Sequence, residues 1–288
     1  MPDAASAILG LHHATAVAAE AAPCDRFYTR TLGLARIKKT VNFDRPEDHH
    51  LYFADPAATP GSVMTCFTDA DAGPHHAGPG GVDRIVFAVP PGSLDAWEKR
   101  LGDAGASPRP DGPVLAFEDP AGIPLGLVER PHAGGAAGAL DGRLDHARLS
   151  VEDPDATRRF FEEELGVACG AGGVLRVHAD ASGRTRGQRR LACGGVDHVA
   201  LRVADDAALG DVRDRVEALG LEPTPVKDRR YFHSVYFREP GGTRIEVATT
   251  GPGFAVDEPA DALGRDLMLP PFLEDRRVEI VARLADLP

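Results

Sequence analysis

Nothing in this sequence has the length and apolarity of a membrane span; no run approaches the roughly 20 residues that cross a bilayer. Met1 to Leu11 has neither a basic start nor a proper apolar core, so no secretory leader is expected there. Basic residues are in deficit, 32 Lys and Arg against 44 Asp and Glu. The resulting net charge of −12 argues against general binding to nucleic acid or to anionic membranes. Cysteine is scarce. Cys24, Cys66, Cys169 and Cys193 lack C-x-x-C spacing, which fits free thiols in a reducing cytoplasm better than a disulfide frame or a zinc knuckle. The remainder, 43% hydrophobic and 26% charged over 288 residues, is the make-up of a soluble globular protein of one large or two ordinary domains.

What the chain does contain is a repeat. The strand-like stretch Gly195-Val196-Asp197-His198-Val199-Ala200-Leu201-Arg202-Val203 has echoes beginning at Gly10, Gly81 and Leu144. Aligned on their hydrophobic pattern, one position of the unit reads His13, Arg84, His146 and His198. Each echo is followed by a helical stretch: Ala21 to Leu32, Leu94 to Ala104 with Ser93 as N-cap, Asp155 to Leu165 and Leu209 to Leu219. Asp153 and Pro154 form the expected start of the third. Short β-rich runs separated by Pro-Gly turns close the units, although Asp180 to Arg190 is polar and basic and reads as a loop or hairpin tip. The pattern predicts an α+β protein of four βαβββ modules pairing into two barrel-like halves. The glycine- and alanine-rich stretch from His132 to Gly142 divides residues 1–131, an N-terminal pair of modules, from 143–288, a C-terminal pair. An amphipathic helix from about Glu274 to Leu284 is expected to pack back on the body.

The closing turns locate a carboxylate. Pro240-Gly241-Gly242-Thr243-Arg244-Ile245-Glu246 in the fourth unit corresponds to Pro120-Ala121-Gly122-Ile123-Pro124-Leu125-Gly126 in the second, so Gly126 stands in the place of Glu246. The first unit has Thr65 there, and the third shows no clear acid. His198 and Glu246 therefore share one unit. One further histidine, His13 or His146, completes the two-histidine, one-carboxylate set that holds Fe(II) or Mn(II) with positions open for substrate and oxygen. Strand alternation puts Val196, His198, Ala200 and Arg202 on one face and Asp197, Val199 and Leu201 on the other. A lone strand histidine is more often a surface or core residue than a ligand; three at one repeat position favour the ligand reading. The adjacent pairs His49-His50 and His75-His76 read as surface residues.

At these residues the sequence resembles the vicinal-oxygen-chelate superfamily, and within it the ring-cleaving dioxygenases that act on hydroquinones. Stretches carrying the likeness include Gly10-Leu11-His12-His13-Ala14-Thr15, His50-Leu51-Tyr52-Phe53-Ala54-Asp55, Asp228-Arg229-Arg230-Tyr231-Phe232 and Tyr236-Phe237-Arg238-Glu239-Pro240-Gly241-Gly242. The resemblance implies a metal, Fe(II) with Mn(II) as the variant, held by His13, His198 and Glu246, with His146 as the other candidate. It also implies catalytic roles for His12, Arg229 and Tyr236, substrate contacts from Thr15 and Asp197, and a small aromatic substrate opened with O2. Asp197 stands where the hydroquinone cleavers tend to carry a histidine. Another metal-dependent isomerase or lyase of the superfamily and a small-aromatic binding protein are the competing functions. A homo-oligomer is compatible with all three.

Overall fold

The computed structural model describes residues 7–69, 71–131, 133 and 140–287. Most of the expected linker, residues 132 and 134–139, lies outside the described residues, as do residues 1–6 of the stretch read for a leader. The first module runs β1 (Leu11–Ala18), α1 (Ala21–Arg26), β2 (Ala35–Asn42), β3 (Arg45–Ala54) and β4 (Val63–Thr68). The second comprises β5 (Gly81–Val89), α2 (Leu94–Asp103), β6 (Arg109–Asp111), β7 (Val114–Glu118) and β8 (Pro124–Glu129). The third is shortened to β9 (Leu144–Val151), α3 (Pro154–Arg159) and β10 (Leu175–Ala179). The fourth holds β11 (Val196–Val203), α4 (Asp206–Ala218), β12 (Lys227–Asp228), β13 (Phe232–Arg238) and β14 (Arg244–Pro252). Asp180 to Arg190, after β10, forms a largely exposed loop with one short helical turn, in keeping with its polarity; the two strands that the third module lacks would fall between α3 and β10.

Local chemistry explains the helix starts unevenly. Asp153 accepts hydrogen bonds from the Asp155 and Ala156 amides at the start of α3, as its position predicts. Ser93 does not cap α2 with its side chain; Glu129 on β8 accepts from the Ser93 and Leu94 amides instead. α1 and α3 each continue into a wider π turn, Phe27–Thr31 and Phe160–Glu164. Those turns bury Phe27, Tyr28, Phe160 and Phe161 against the sheet, where they join Trp97, Leu101, Leu209, Val212 and Val216 in one core.

The strands form a single mixed sheet of 14 that does not close into a barrel. Its pairing departs from the expected halves. β1 runs antiparallel to β11, which joins the first module to the fourth, and β5 runs antiparallel to β9, which joins the second to the third. The two sets meet where Val196 of β11 pairs with Val82 of β5. Pairing thus crosses the division of the chain near residues 131–143.

Each of the four leading strands carries a β-bulge at one equivalent residue. Between β1 and β11 the register steps from Leu11↔Leu201 to His13↔Ala200, leaving His12 extra, and from Thr15↔His198 to Ala16↔Val196, leaving Asp197 extra. Between β5 and β9 the same steps leave Asp83 and Asp145 extra. A bulge turns the extra side chain out of strict alternation, so the simple two-residue period fails at Asp197.

The chain after β14 is tied to the first module by Lys38 of β2. Its ammonium is fully buried, donates to Asp257 Oδ1 at 2.7 Å, to the Phe254 carbonyl at 3.1 Å and to the Glu258 carboxylate, and lies over the Tyr231 ring. The tail continues through a 3-10 turn at Pro271–Arg276 and α5 (Arg277–Val281), shorter than the expected helix. There Leu273 and Ile280 pack on Val41. Removing the buried cation leaves two carboxylates without their partner. Lys38→Met is expected to lose about 3–5 kcal/mol of unfolding free energy, measured by urea denaturation; a loss below about 1 kcal/mol would show that the clamp carries little.

Candidate metal centre

The pairing of β1 with β11, and of β11 with β14, sets three side chains against one another. His13 Nε2 lies 3.0 Å from Glu246 Oε2, His198 Nε2 lies 2.8 Å from the same oxygen, and the two imidazole nitrogens are 3.4 Å apart. All three residues are buried, Glu246 completely. Among the described residues this is the one group of three or more His, Cys, Asp or Glu side chains whose donor atoms converge in this way. His146 is not part of it.

The geometry fits a metal ion. Ligands on one face of an octahedron, with bonds of about 2.1 Å, lie about 3 Å from one another. Neither Glu246 oxygen has a hydrogen-bond partner despite the close imidazoles. The short separations are contacts of converging donor atoms, not directed hydrogen bonds. A buried carboxylate in that condition is costly unless a cation compensates it.

The bulged residues orient both imidazoles. Asp197 Oδ2 lies 2.6 Å from His198 Nδ1, and the same carboxylate is held by Arg244 Nη1 at 2.9 and 3.3 Å. His12 Nδ1 lies 2.8 Å from His13 Nδ1. Fixing Nδ1 in this way leaves Nε2 to act as ligand. Asp197, expected as a substrate contact, lines the cavity and also stands behind His198. His12, expected in proton transfer, stands behind His13 and outside the cavity lining.

Burial dominates the electrostatics. It disfavours protonation of His198, but the bond to Asp197 and the charges of Glu246 and Asp197 outweigh it and hold the imidazolium up at about 8. Burial also opposes ionisation of Glu246, yet His13 and His198 keep its carboxyl well below the usual range. His12 is driven down to about 3 by burial and by neighbouring His13. A dication would replace the proton that His198 otherwise carries.

The cluster lies at the floor of a cavity of about 260 Å³. Thr15, His50, Tyr52, Phe67, Phe232 and Tyr236 form its walls, with Arg229 and Arg244 to one side. Arg229 Nε donates to the Tyr236 hydroxyl at 3.1 Å, and both guanidinium groups lie over the Tyr236 ring. Burial, then the charge of Glu246, pushes the Tyr236 hydroxyl up and keeps it protonated. Arg229, Tyr236 and Thr15 thus all line the cavity above the cluster. His49 and His50 do not lie on the surface: His49 is buried with Nε2 2.8 Å from the Ala285 carbonyl, and His50 faces the cavity. His50 and Tyr52 were detectable in principle, since residues two apart on a strand share a face. His75 is half-buried and His76 exposed.

The second and third modules repeat the frame without the site. Asp145 holds His146 Nδ1 at 2.6 Å and is itself bound by Arg130, matching Asp197, His198 and Arg244. In all four modules the carboxylate place pairs with the residue two beyond the histidine place, giving Thr15↔Thr65, Val86↔Gly126, Arg148↔Arg176 and Ala200↔Glu246. Arg84 fills the space: a Cβ on Gly126 would stand 3.3 Å from its side chain and 2.5 Å from Val114 Cγ1. Arg84 pairs with Asp111, and Arg148 with Asp83 and Asp111. Arginine thus stands at the histidine place of the second module and at the carboxylate place of the third, and a fixed cation at such a place repels a divalent one.

These features define a candidate metal site at the seam of paired βαβββ modules, an arrangement that one superfamily shares. Residues 143–247 match the model of the Glyoxalase/Bleomycin resistance protein/Dioxygenase superfamily. The chain is 35% identical to the Bacillus subtilis protein named "Putative ring-cleaving dioxygenase MhqE", over 96% of this chain and 99% of that one. It is 28% identical to the chlorohydroquinone/hydroquinone 1,2-dioxygenase of Sphingobium indicum, over 96% of each. A crystal structure of a "putative dioxygenase" from Bacillus subtilis superposes with a TM-score of 0.90 at 33% identity, covering 99% of both chains. The chain belongs to this metal-dependent superfamily, and within it to the ring-cleaving dioxygenases, enzymes that incorporate oxygen.

The geometry predicts that His13→Ala abolishes metal uptake while His146→Ala leaves it unchanged, read as metal per chain after reconstitution. Asp197→Asn is expected to weaken metal affinity by about 10–100-fold through loss of the His198 orienting bond; competition with a chelator measures it.

Proposed function

We propose that this chain is an Fe(II)-dependent dioxygenase that opens the ring of hydroquinone or a substituted dihydroxybenzene, with His13, His198 and Glu246 as the metal ligands. The observation that carries this is the buried Glu246 carboxylate, without a hydrogen bond and facing two oriented imidazoles, at the floor of an aromatic-walled cavity. Supporting it, the Sphingobium indicum relative is named for hydroquinone and chlorohydroquinone. Such a site suits Fe(II), with Mn(II) the other ion compatible with the donors. When bound, the metal would supply open positions for substrate and O2 and a path for electrons from the ring to oxygen.

The protein's own groups have separable tasks. Arg229 places a permanent positive charge at the cavity wall, suited to a phenolate oxygen and to the charge that develops as the ring opens. Tyr236, kept protonated, supplies a hydrogen bond that does not add charge. Phe67 and Phe232 provide apolar surface for a ring of this size and hold water away from it. The mouth carries Asp44, Asp48 and Asp69 around Arg45, a rim that favours a neutral ring over one bearing a carboxylate.

Anaerobic loading with Fe(II), then oxygen uptake against a panel of hydroquinones and catechols, tests the assignment. Uptake with a hydroquinone and a ring-opened product are expected, and bound iron without uptake on any dihydroxybenzene would sink it. Arg229→Met should lower kcat by about 10²–10³-fold while metal content stays at the wild-type level. Glu246→Gln should abolish both.

A further inference from the structure

One wall of the cavity carries a continuous hydrogen-bonded chain across three neighbouring strands. Tyr52 on β3 and Thr15 on β1 both face Thr65 on β4 in the sheet register. The Tyr52 hydroxyl lies 3.0 Å from His50 Nδ1, His50 Nε2 lies 2.9 Å from Thr65 Oγ1, and Thr65 Oγ1 lies 2.9 Å from Thr15 Oγ1. Both ends, Tyr52 and Thr15, line the cavity, and Thr15 shares a strand face with His13. We propose that Thr15, Thr65, His50 and Tyr52 form a charge-neutral proton relay that serves the cavity.

A neutral imidazole has one N–H and one lone pair, and each hydroxyl both donates and accepts. The chain therefore has two complete arrangements. In one, Thr15 donates to Thr65, Thr65 to His50 Nε2, His50 Nδ1–H to the Tyr52 oxygen, and the Tyr52 proton points outward. In the other every bond is reversed: Tyr52 donates to Nδ1, Nε2–H to Thr65, Thr65 to Thr15, and the Thr15 proton is the free one. The ring of His50 lies between those of Tyr52 and Phe67, with centroids 4.1 and 4.2 Å away, so it is clamped in place for both. Burial pushes His50 well below its ordinary pKa, consistent with a ring that changes tautomer and not charge.

Passage from the first arrangement to the second moves one proton along the wall. A substrate hydroxyl gives its proton to the Thr15 oxygen; the Thr15, Thr65 and His50 Nδ1 protons each advance by one bond. The Tyr52 proton leaves to a water in the cavity that Tyr52 lines. Four bonds to hydrogen form within the chain and four break, no electron is transferred, and no charge remains on the wall. The identity of the proton donor, a substrate hydroxyl beside the metal ligands, rests on the ring-cleaving assignment. The relay itself does not.

Two measurements test it separately. In metal-free protein, the ring ¹⁵N shifts of His50 should show a neutral imidazole exchanging between tautomers. In Tyr52→Phe, Nδ1 loses its partner, and because a buried bare lone pair costs less than a bare N–H, the shifts should collapse to the Nε2–H form. A single tautomer in the wild type that Tyr52→Phe leaves unchanged overturns the relay. With Fe(II) bound, Tyr52→Phe and Thr15→Val should each lower kcat by about tenfold or more, keep metal content, and alter the solvent deuterium isotope effect on kcat. The double variant should be no slower than the worse single. Full kcat with an unaltered isotope effect in Tyr52→Phe also overturns it. The Phe ring keeps its packing against Tyr231 and Phe254, so loss of fold does not mimic the result. Should the wild type open no ring, the ring-cleaving assignment falls while the ¹⁵N shifts still decide the relay.

Discussion

A buried carboxylate that nothing in the protein satisfies is the constraint on which the rest of this structure depends. Glu246 lies at zero exposure on β14, with both oxygens lacking a hydrogen bond and two imidazole nitrogens within 3.0 Å. Desolvating a charge in this way is tolerable only where a cation completes the group. Everything that positions it is long-range. β14 must lie beside β11, and β11 beside β1, before the three side chains can meet.

The β-bulges are the local devices that make the arrangement specific. Regular strands would send His12 and Asp197 to the face opposite His13 and His198. One extra residue on each strand lets these neighbours reach the Nδ1 atoms instead, so that each ligand is oriented by the residue preceding it. The same bulges recur at Asp83 and Asp145 in the paired second and third modules. There the frame persists while the donors are replaced. Gly126 makes room for Arg84, Arg176 stands in the carboxylate place, and ion pairs with Asp83 and Asp111 fill the half that holds no site. Duplication thus preserved backbone geometry more faithfully than chemistry, because the bulge belongs to the sheet and the ligand to a single side chain.

Within the cavity, charge is sorted by depth. Arg229 and Arg244 lie near the ligands, Asp44, Asp48 and Asp69 lie at the rim, and burial raises Asp48 to about 6. The wall between Thr15 and Tyr52 is polar but uncharged. The deep end of the cavity thus offers fixed cations, and the shallow end little to hold a carboxylate.

Much of this was legible in the chain before any coordinates. The repeat of β-rich runs and helices, the start of α3 at Asp153, and the grouping of His198 with Glu246 follow from local periodicity and from comparing one unit with the next. Those signals are carried by residues within one module. The choice of His13 over His146 came from family likeness; it appears in the structure as the pairing of the first module with the fourth, a contact between residues 185 apart in the chain that no local pattern encodes. The face of Asp197 was misread because alternation assumes an unbroken ladder, and a bulge is decided by two strands together. His49 and His50 were read as a surface pair because the importance of His50 lies in what stands across the sheet from it, Thr65 and beyond it Thr15. The sequence by itself determined the modules and supplied the donors. Tertiary structure alone decided which modules face each other, since strand pairing is a property of backbones far apart in sequence, and so decided which of four equivalent strands bring their histidines to Glu246.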